Sequence, residues 1–163
     1  MTQTALGGQP ATLVGDLPVV GATAPEFTLA GPDMSDVTRD ASRRTVLNIF
    51  PSVDTGVCAA SVRKFNELAS SLPDTDVVNV AMDLPFAMGR FCGAEGIENV
   101  AVSSAFRSTF GQDYGVTLAD TGFQGLFARS VVVVDRDGTV LHSQLVPEIG
   151  HEPDYDAAIA VLS

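Results

Sequence analysis

The side chains in this sequence best suited to covalent or metal chemistry are two cysteines, Cys58 and Cys92, and two histidines, His142 and His151. Cys58 closes the segment Pro51-Ser-Val-Asp-Thr55-Gly-Val-Cys58, where an apolar run stops at a proline, a tight loop follows and a helical pattern begins. That order puts the cysteine in the first turn of a helix. Unpaired backbone N–H groups at a helix start favour a nearby anion, and they lower the pKa of a thiol placed there. Thr55 adds a hydroxyl that can both donate and accept. The same residues also read as a small buried hydrophobe at 58 and an ordinary helix N-cap at 55, and residue types alone leave both readings open. Cys92 lies in Arg90-Phe-Cys-Gly93. No CxxC or HxxxH pair occurs, so a Cys2His2 zinc site has little support and no metal is expected.

The elements that must position these groups follow from hydrophobic patterning. Thr45–Phe50 is a β-branched, apolar run that reads as a buried strand. A helix is expected from about Val57 to Leu72, with Val57, Phe65, Leu68 and Leu72 on one face and Ser61 beside them, ended by Pro73 and Asp74. Val77–Met82 reads as a second strand, and Phe86–Phe91 as a short helix opened by Pro85. The glycine-punctuated stretch 93–129 suggests only a helical turn or two at Ser103–Phe110. Ser130–Val134, the turn Asp135–Gly138 and Thr139–Leu145 make a hairpin, and Pro153–Leu162 an amphipathic helix. Ahead of these, Ala11–Val14 and Glu26–Leu29 are short strand candidates, and residues 1–10 a tail or edge hairpin. The resulting fold class is mixed α/β: a central sheet with parallel and antiparallel strands, and helices on both faces.

Composition narrows the function classes. The chain has 163 residues, 45% of them hydrophobic and 18% charged, which fits one folded domain over 1–163 and excludes disorder. A net charge of −11 disfavours nucleic-acid binding. No apolar run reaches the roughly 20 residues of a membrane span. The opening MTQTALGGQP shows no leader pattern, so a reducing, cytoplasmic setting is expected. Structural disulfides are rare there, which leaves the cysteines as buried thiols, metal ligands or redox-active groups. Arg39, Arg43 and Arg44 read as a solvated loop, Asp135, Asp137 and Gly138 as a turn rather than a calcium loop, and Glu148, His151 and Glu152 as solvated surface.

The segment 51–58 resembles the peroxiredoxin signature Pro-x-x-x-Thr-x-x-Cys at Pro51, Thr55 and Cys58. More narrowly, the chain resembles the thiol peroxidase subfamily, the bacterial atypical two-cysteine peroxiredoxins. The matching pieces are LPVVGATAPEFTLAG (17–31), LNIFPSVDTGVCAASVRKFNELA (47–69), DLPFAMGRFCGAEGIENV (83–100), FARSVVVVDRDGTV (127–140) and LVPEIGHEPDYDAAI (145–159). The resemblance implies a thioredoxin-like fold, with residues 1–16 adding an N-terminal β-hairpin. It implies that Cys58 is the peroxidatic thiolate, that Thr55 hydrogen-bonds the peroxide, and that Arg129 holds the thiolate and the developing charge. It also implies that Cys92 is the resolving cysteine of an intrachain Cys58–Cys92 disulfide. Hydrogen peroxide and organic hydroperoxides would be the substrates, thioredoxin the reductant and a homodimer the assembly, with no flavin, haem or metal. The chain departs from the family pattern at Gly56, where proline is usual, at Ala81 or Met82, where serine is common, and at Thr121-Gly122-Phe123, usually Gly-Pro-Leu.

Ionisation cannot be the whole of such a catalyst. A thiol of pKa ~8.5 is already a few per cent ionised at pH 7, so full ionisation gains at most roughly 30-fold, about 2 kcal/mol. The remainder must come from positioning and from charge stabilisation as the O–O bond stretches. Two other classes use the same residues: a non-enzymatic redox relay, separated by turnover in a thioredoxin-coupled assay, and a thioredoxin-fold holdase with inert cysteines, separated by thiol labelling at pH 6.

Overall fold

Valine-rich runs make the centre of the sheet. The computed structural model describes residues 2–162. A two-stranded hairpin, β1 (Gln3–Leu6) and β2 (Gln9–Thr12), precedes everything else. Then come β3 (Thr28–Ala30), β4 (Asp36–Thr38), β5 (Arg44–Ile49), α1 (Gly56–Ala69), β6 (Thr75–Ala81) and α2 (Pro85–Glu95). The chain finishes with β7 (Ala101–Ser104), α3 (Phe110–Asp113), β8 (Ser130–Val134), β9 (Val140–Leu145) and α4 (Tyr155–Ala160).

The main sheet has seven strands in the order β4-β3-β7-β6-β5-β8-β9. Pairing is parallel for β5–β6 and β6–β7, which α1 and α2 connect as crossovers, and antiparallel for β5–β8 and β8–β9. Alternation divides the strand side chains between two cores. Leu47, Ile49, Val78, Val80, Val132 and Val134 pack with Phe27, Phe110 and Phe127. Val46, Val77, Val131 and Val133 pack with Phe65 of α1 and with Ala158 and Leu162 at the C-terminal end. This is the thioredoxin-like arrangement, with a mixed central sheet and flanking helices, and the N-terminal hairpin is present. Its two-residue loop is Gly7-Gly8, both at positive φ (58° and 81°), as a tight hairpin turn of the I′ kind demands.

Several expectations need correction. Ser103 and Ser104 are not helical: they complete β7, which hydrogen bonding to β6 stabilises despite weak strand propensity, and the helix that follows is only Phe110–Asp113. β4 has no counterpart in the sequence reading, since three residues, Asp-Val-Thr, carry too little pattern. α1 stops at Ala69 rather than Leu72, and α2 runs on to Glu95. α4 starts only after Asp154, whose carboxylate accepts from the Ala157 N–H at 3.0 Å. The arginine cluster is not a free loop: Arg43 pairs with Asp76 at 2.8 Å, and Arg44 donates to the Leu162 carbonyl at 2.9 Å.

Candidate active site

Strand β5 delivers the chain to Phe50 and Pro51, and the loop turns directly into α1. Thr55 occupies the N-cap in extended conformation, and its backbone carbonyl accepts from Ala59 at 3.0 Å. Its hydroxyl does not cap the helix; it donates to the Ser52 carbonyl at 3.1 Å. Cys58 is the third residue of α1 and has no exposed surface. Arg129 reaches it from the residue before β8. Because Ser130 pairs with Ile49, the antiparallel register sets Arg129 beside the end of β5, where α1 begins. The guanidinium Nη2 donates to Cys58 Sγ at 3.0 Å, and Nε donates to the Ile149 carbonyl at 2.7 Å. Arg129 is 1% exposed, and its Nη1 is buried without a partner. Among the described residues, no carboxylate forms an ion pair with it.

A cavity of about 160 Å³ borders Arg129, with Cys58 buried behind the guanidinium rather than in its lining. Pro51, Thr55, Gly56 and Arg129 contribute to it, and Leu6, Val57, Phe123 and Ile149 make it chiefly apolar. A larger depression of about 500 Å³, bordered by Phe27, Thr38, Arg107 and Asp113, contains neither cysteine. The sequence-derived residues Pro51, Thr55 and Arg129 thus converge on one small cavity, with Cys58 against its guanidinium.

Two sets of supporting contacts have no counterpart in the sequence patterns. Ser61 donates to the Cys58 carbonyl at 2.8 Å, and Asn48 Nδ2 bonds both Ser61 Oγ (3.1 Å) and Asn79 Oδ1 (2.8 Å). All three side chains are fully buried, and Asn48 and Asn79 are register partners on β5 and β6. The available signal was an asparagine inside each of two apolar runs, 46–50 and 77–81, since a buried amide needs partners. The second set is Asp83, which accepts from Ser52 Oγ at 2.6 Å and from the Val53 N–H at 3.4 Å, tying the 51–55 loop to the segment leading into α2.

Cys92 does not line the cavity. It sits half-buried in the last turn of α2, against the apolar cluster of Phe50, Val53, Met88 and Phe91 that also contains Cys58. Both thiols are free. Desolvation pushes the Cys92 thiol above its ordinary value of 9.0. Its carbonyl takes the N–H groups of Gly96, in the left-handed region at φ 65°, and of Ile97, which closes the helix. Glu148 is not simply solvated: it is half-buried and accepts from the Gly8 N–H at 3.0 Å, whereas His151 and Glu152 are exposed.

Fold and site define a class first: a thioredoxin-like domain with a cysteine heading its first long helix and an arginine locked onto the sulfur. A family model described as Redoxin matches residues 19–159. A thiol peroxidase of Corynebacterium glutamicum is 55% identical over the whole of both chains. One from Mycobacterium tuberculosis is 54% identical over 99% of each. Among solved structures, a peroxiredoxin-like protein from Aquifex aeolicus superposes with a TM-score of 0.94 at 39% identity, covering 99% of this chain and 96% of that one. A Chromobacterium violaceum thiol peroxidase shares the fold at a TM-score of 0.90 and 21% identity, over 98% of this chain and 94% of its own. The chain therefore belongs to the redoxin family, in its thiol peroxidase branch.

Proposed function

We propose that this protein reduces hydrogen peroxide and organic hydroperoxides with Cys58 as the attacking thiolate. The observation that carries the proposal is Arg129: a guanidinium 1% exposed, bonded to Cys58 Sγ at 3.0 Å, with a buried spare donor beside the cavity. A buried guanidinium without an anionic partner is costly, and a thiolate at Cys58 supplies that counter-ion.

A peroxide in the cavity offers one oxygen to the sulfur and hydrogen-bonds to Arg129 Nη1 and the Thr55 hydroxyl. The thiolate attacks that oxygen, the S–O bond forms and the O–O bond breaks. The departing hydroxide or alkoxide takes a proton and leaves as water or an alcohol, and Cys58 is left as sulfenic acid. Arg129 and the N–H groups at the start of α1 stabilise the charge that shifts onto the leaving oxygen. Pro51 forms part of the wall, and the apolar lining of Leu6, Val57 and Phe123 suits an alkyl substituent. Cys92 then attacks the sulfenic sulfur and expels water, giving the Cys58–Cys92 disulfide, and the thioredoxin dithiol reduces it by exchange. A disulfide requires Cα atoms within about 7 Å, and in this mechanism the end of α2 loosens to bring the half-buried Cys92 into bonding geometry with Cys58.

The same proposal covers setting and assembly: a single domain working in the cytoplasm as a homodimer, for which the exposed Leu84 and Phe86 at the start of α2 offer apolar surface. Peroxide consumption coupled to thioredoxin, thioredoxin reductase and NADPH tests the enzyme. Sustained turnover is expected; a single stoichiometric oxidation with no turnover would instead indicate a redox relay.

A further inference from the structure

The N-terminal hairpin makes polar contacts on two sides: Thr12 bonds Asp120 and Ala119, and β1 with its turn bonds the loop that holds Arg129. Loop 146–150 follows β9, and β1 supplies partners for its peptide groups. Thr4, one of the few buried polar side chains, donates its hydroxyl to the Val146 carbonyl at 2.7 Å. The Ile149 N–H donates to the Ala5 carbonyl at 2.8 Å. The Gly8 N–H donates to Glu148 Oε1 at 3.0 Å. On its other side the loop grips the arginine: the Val146 N–H bonds the Arg129 carbonyl at 3.0 Å, and the Ile149 carbonyl accepts from Arg129 Nε at 2.7 Å. The Ile149 residue thus has one backbone group on the hairpin and the other on the guanidinium. Leu6, from the same hairpin, reaches the cavity wall.

We propose that the β1–β2 hairpin is a positioning element of the site, with Thr4 and Glu148 as the positioning residues that seat loop 146–150 and, through the Ile149 carbonyl, aim Arg129 at Cys58. The assignment rests on the peroxidase reading above. A guanidinium held at Nε by one carbonyl pivots if that carbonyl moves, and Nη2 then leaves the sulfur. Substituting Thr4 or Glu148 frees the loop to shift while keeping the side chains of Cys58, Arg129 and the cavity-lining residues unchanged.

The test is single-turnover consumption of hydrogen peroxide and of cumene hydroperoxide by the full chain, with residual peroxide quantified colorimetrically, since the chain has no tryptophan to report oxidation. Thr4→Val should lower the rate constant about tenfold for both peroxides alike, because Arg129 serves every substrate, and Thr4→Ser should restore it. Glu148→Ala, at a less buried position, should lower it about threefold, with Glu148→Gln recovering most of the loss. In an Arg129→Ala background neither variant should have any further effect, a coupling that a merely structural role would not produce. Unchanged rates in both variants, or equal losses with and without Arg129, overturn the positioning role while leaving the peroxidase reading intact. A wild-type protein no faster than free cysteine overturns both.

Discussion

Cys58 and Cys92 pack into one apolar cluster, yet their surroundings differ in kind. Around Cys58 the holding groups are buried: Arg129 on the sulfur, Ser61 on the carbonyl, and the Asn48–Asn79 pair beneath. Around Cys92 they lie at the surface. α2 is tied to its neighbours by Arg90–Asp54 at 2.8 Å and Arg63–Glu95 at 3.1 Å, both solvent-exposed pairs of the kind that contribute little. Its helix contains Gly89 and Gly93 and ends on Gly96. Under the proposed mechanism the contrast separates two tasks that one residue type performs: a nucleophile must stay where the charge-stabilising groups are, while its partner must be able to travel. Low local stability is a requirement at the second position and a defect at the first.

The sharpest break in this comparison is substitution of each cysteine in turn. Cys58→Ser should abolish peroxide reduction, by roughly three orders of magnitude or more, in any assay. Cys92→Ser should keep the first turnover and consume about one equivalent of peroxide, then stop because thioredoxin finds no disulfide to reduce. Peptide mass spectrometry of the wild type after one equivalent of peroxide should show the 58–92 link; a purely intermolecular bond would remove the mobile-partner half of the argument. Next in size, Arg129→Ala should slow Cys58 oxidation by about 10²- to 10³-fold, typical of losing a donor aimed at developing charge. That exceeds the roughly 30-fold available from ionisation alone, so measuring both thiolate content and rate decides whether Arg129 acts mainly on the transition state.

Much of this was legible in the sequence, for physical reasons that particular residues make plain. Thr45–Phe50 and Ser130–Val134 are β-branched runs buried on both faces, and such strands announce themselves. The helix start at Cys58 was legible because Pro51 ends one element and the apolar spacing of α1 begins the next. β7 was not: Ala-Val-Ser-Ser has almost no intrinsic strand signal and is held by its neighbours. Arg129 was placed by resemblance, but its seat on Ile149 follows from strand register and from a loop, and neither has a local sequence signature. The Asn48–Asn79–Ser61 chain likewise exists only once β5 and β6 are in register. Glu148 looked like surface because a half-buried acceptor for one distant N–H carries no pattern at all.

Titration gives a milder probe of the two environments. Burial raises the Cys92 thiol above 9.0, so in a Cys58→Ser protein its alkylation by iodoacetamide should be slow at neutral pH and still be climbing at pH 9.0. The linked stability has a definite sign. The unfolded chain releases this proton first, so the contribution is intact below about pH 9 and is lost as pH rises through the folded-state value. A labelling rate that levels off near neutrality would mean that Cys92 is not desolvated in its resting place.

The smallest effect bears most directly on the mobility of α2. Gly93 lies inside that helix, and a methyl group added there would meet nothing within 4 Å. Gly93→Ala should therefore stabilise α2 by about 1 kcal/mol, since alanine loses less backbone freedom in a helix. If α2 must loosen before Cys92 can reach the sulfenic acid, that gain appears in the barrier to disulfide formation and slows it about fivefold, while the initial oxidation of Cys58 is unchanged. A slower second step also leaves the sulfenic acid exposed longer, so sulfinic acid at Cys58 should accumulate at lower peroxide concentrations, which mass spectrometry reads directly. Disulfide formation at the wild-type rate in a measurably more stable Gly93→Ala protein would mean that Cys92 arrives without unwinding this turn, and the division between a fixed and a travelling cysteine would have to be drawn elsewhere in the chain.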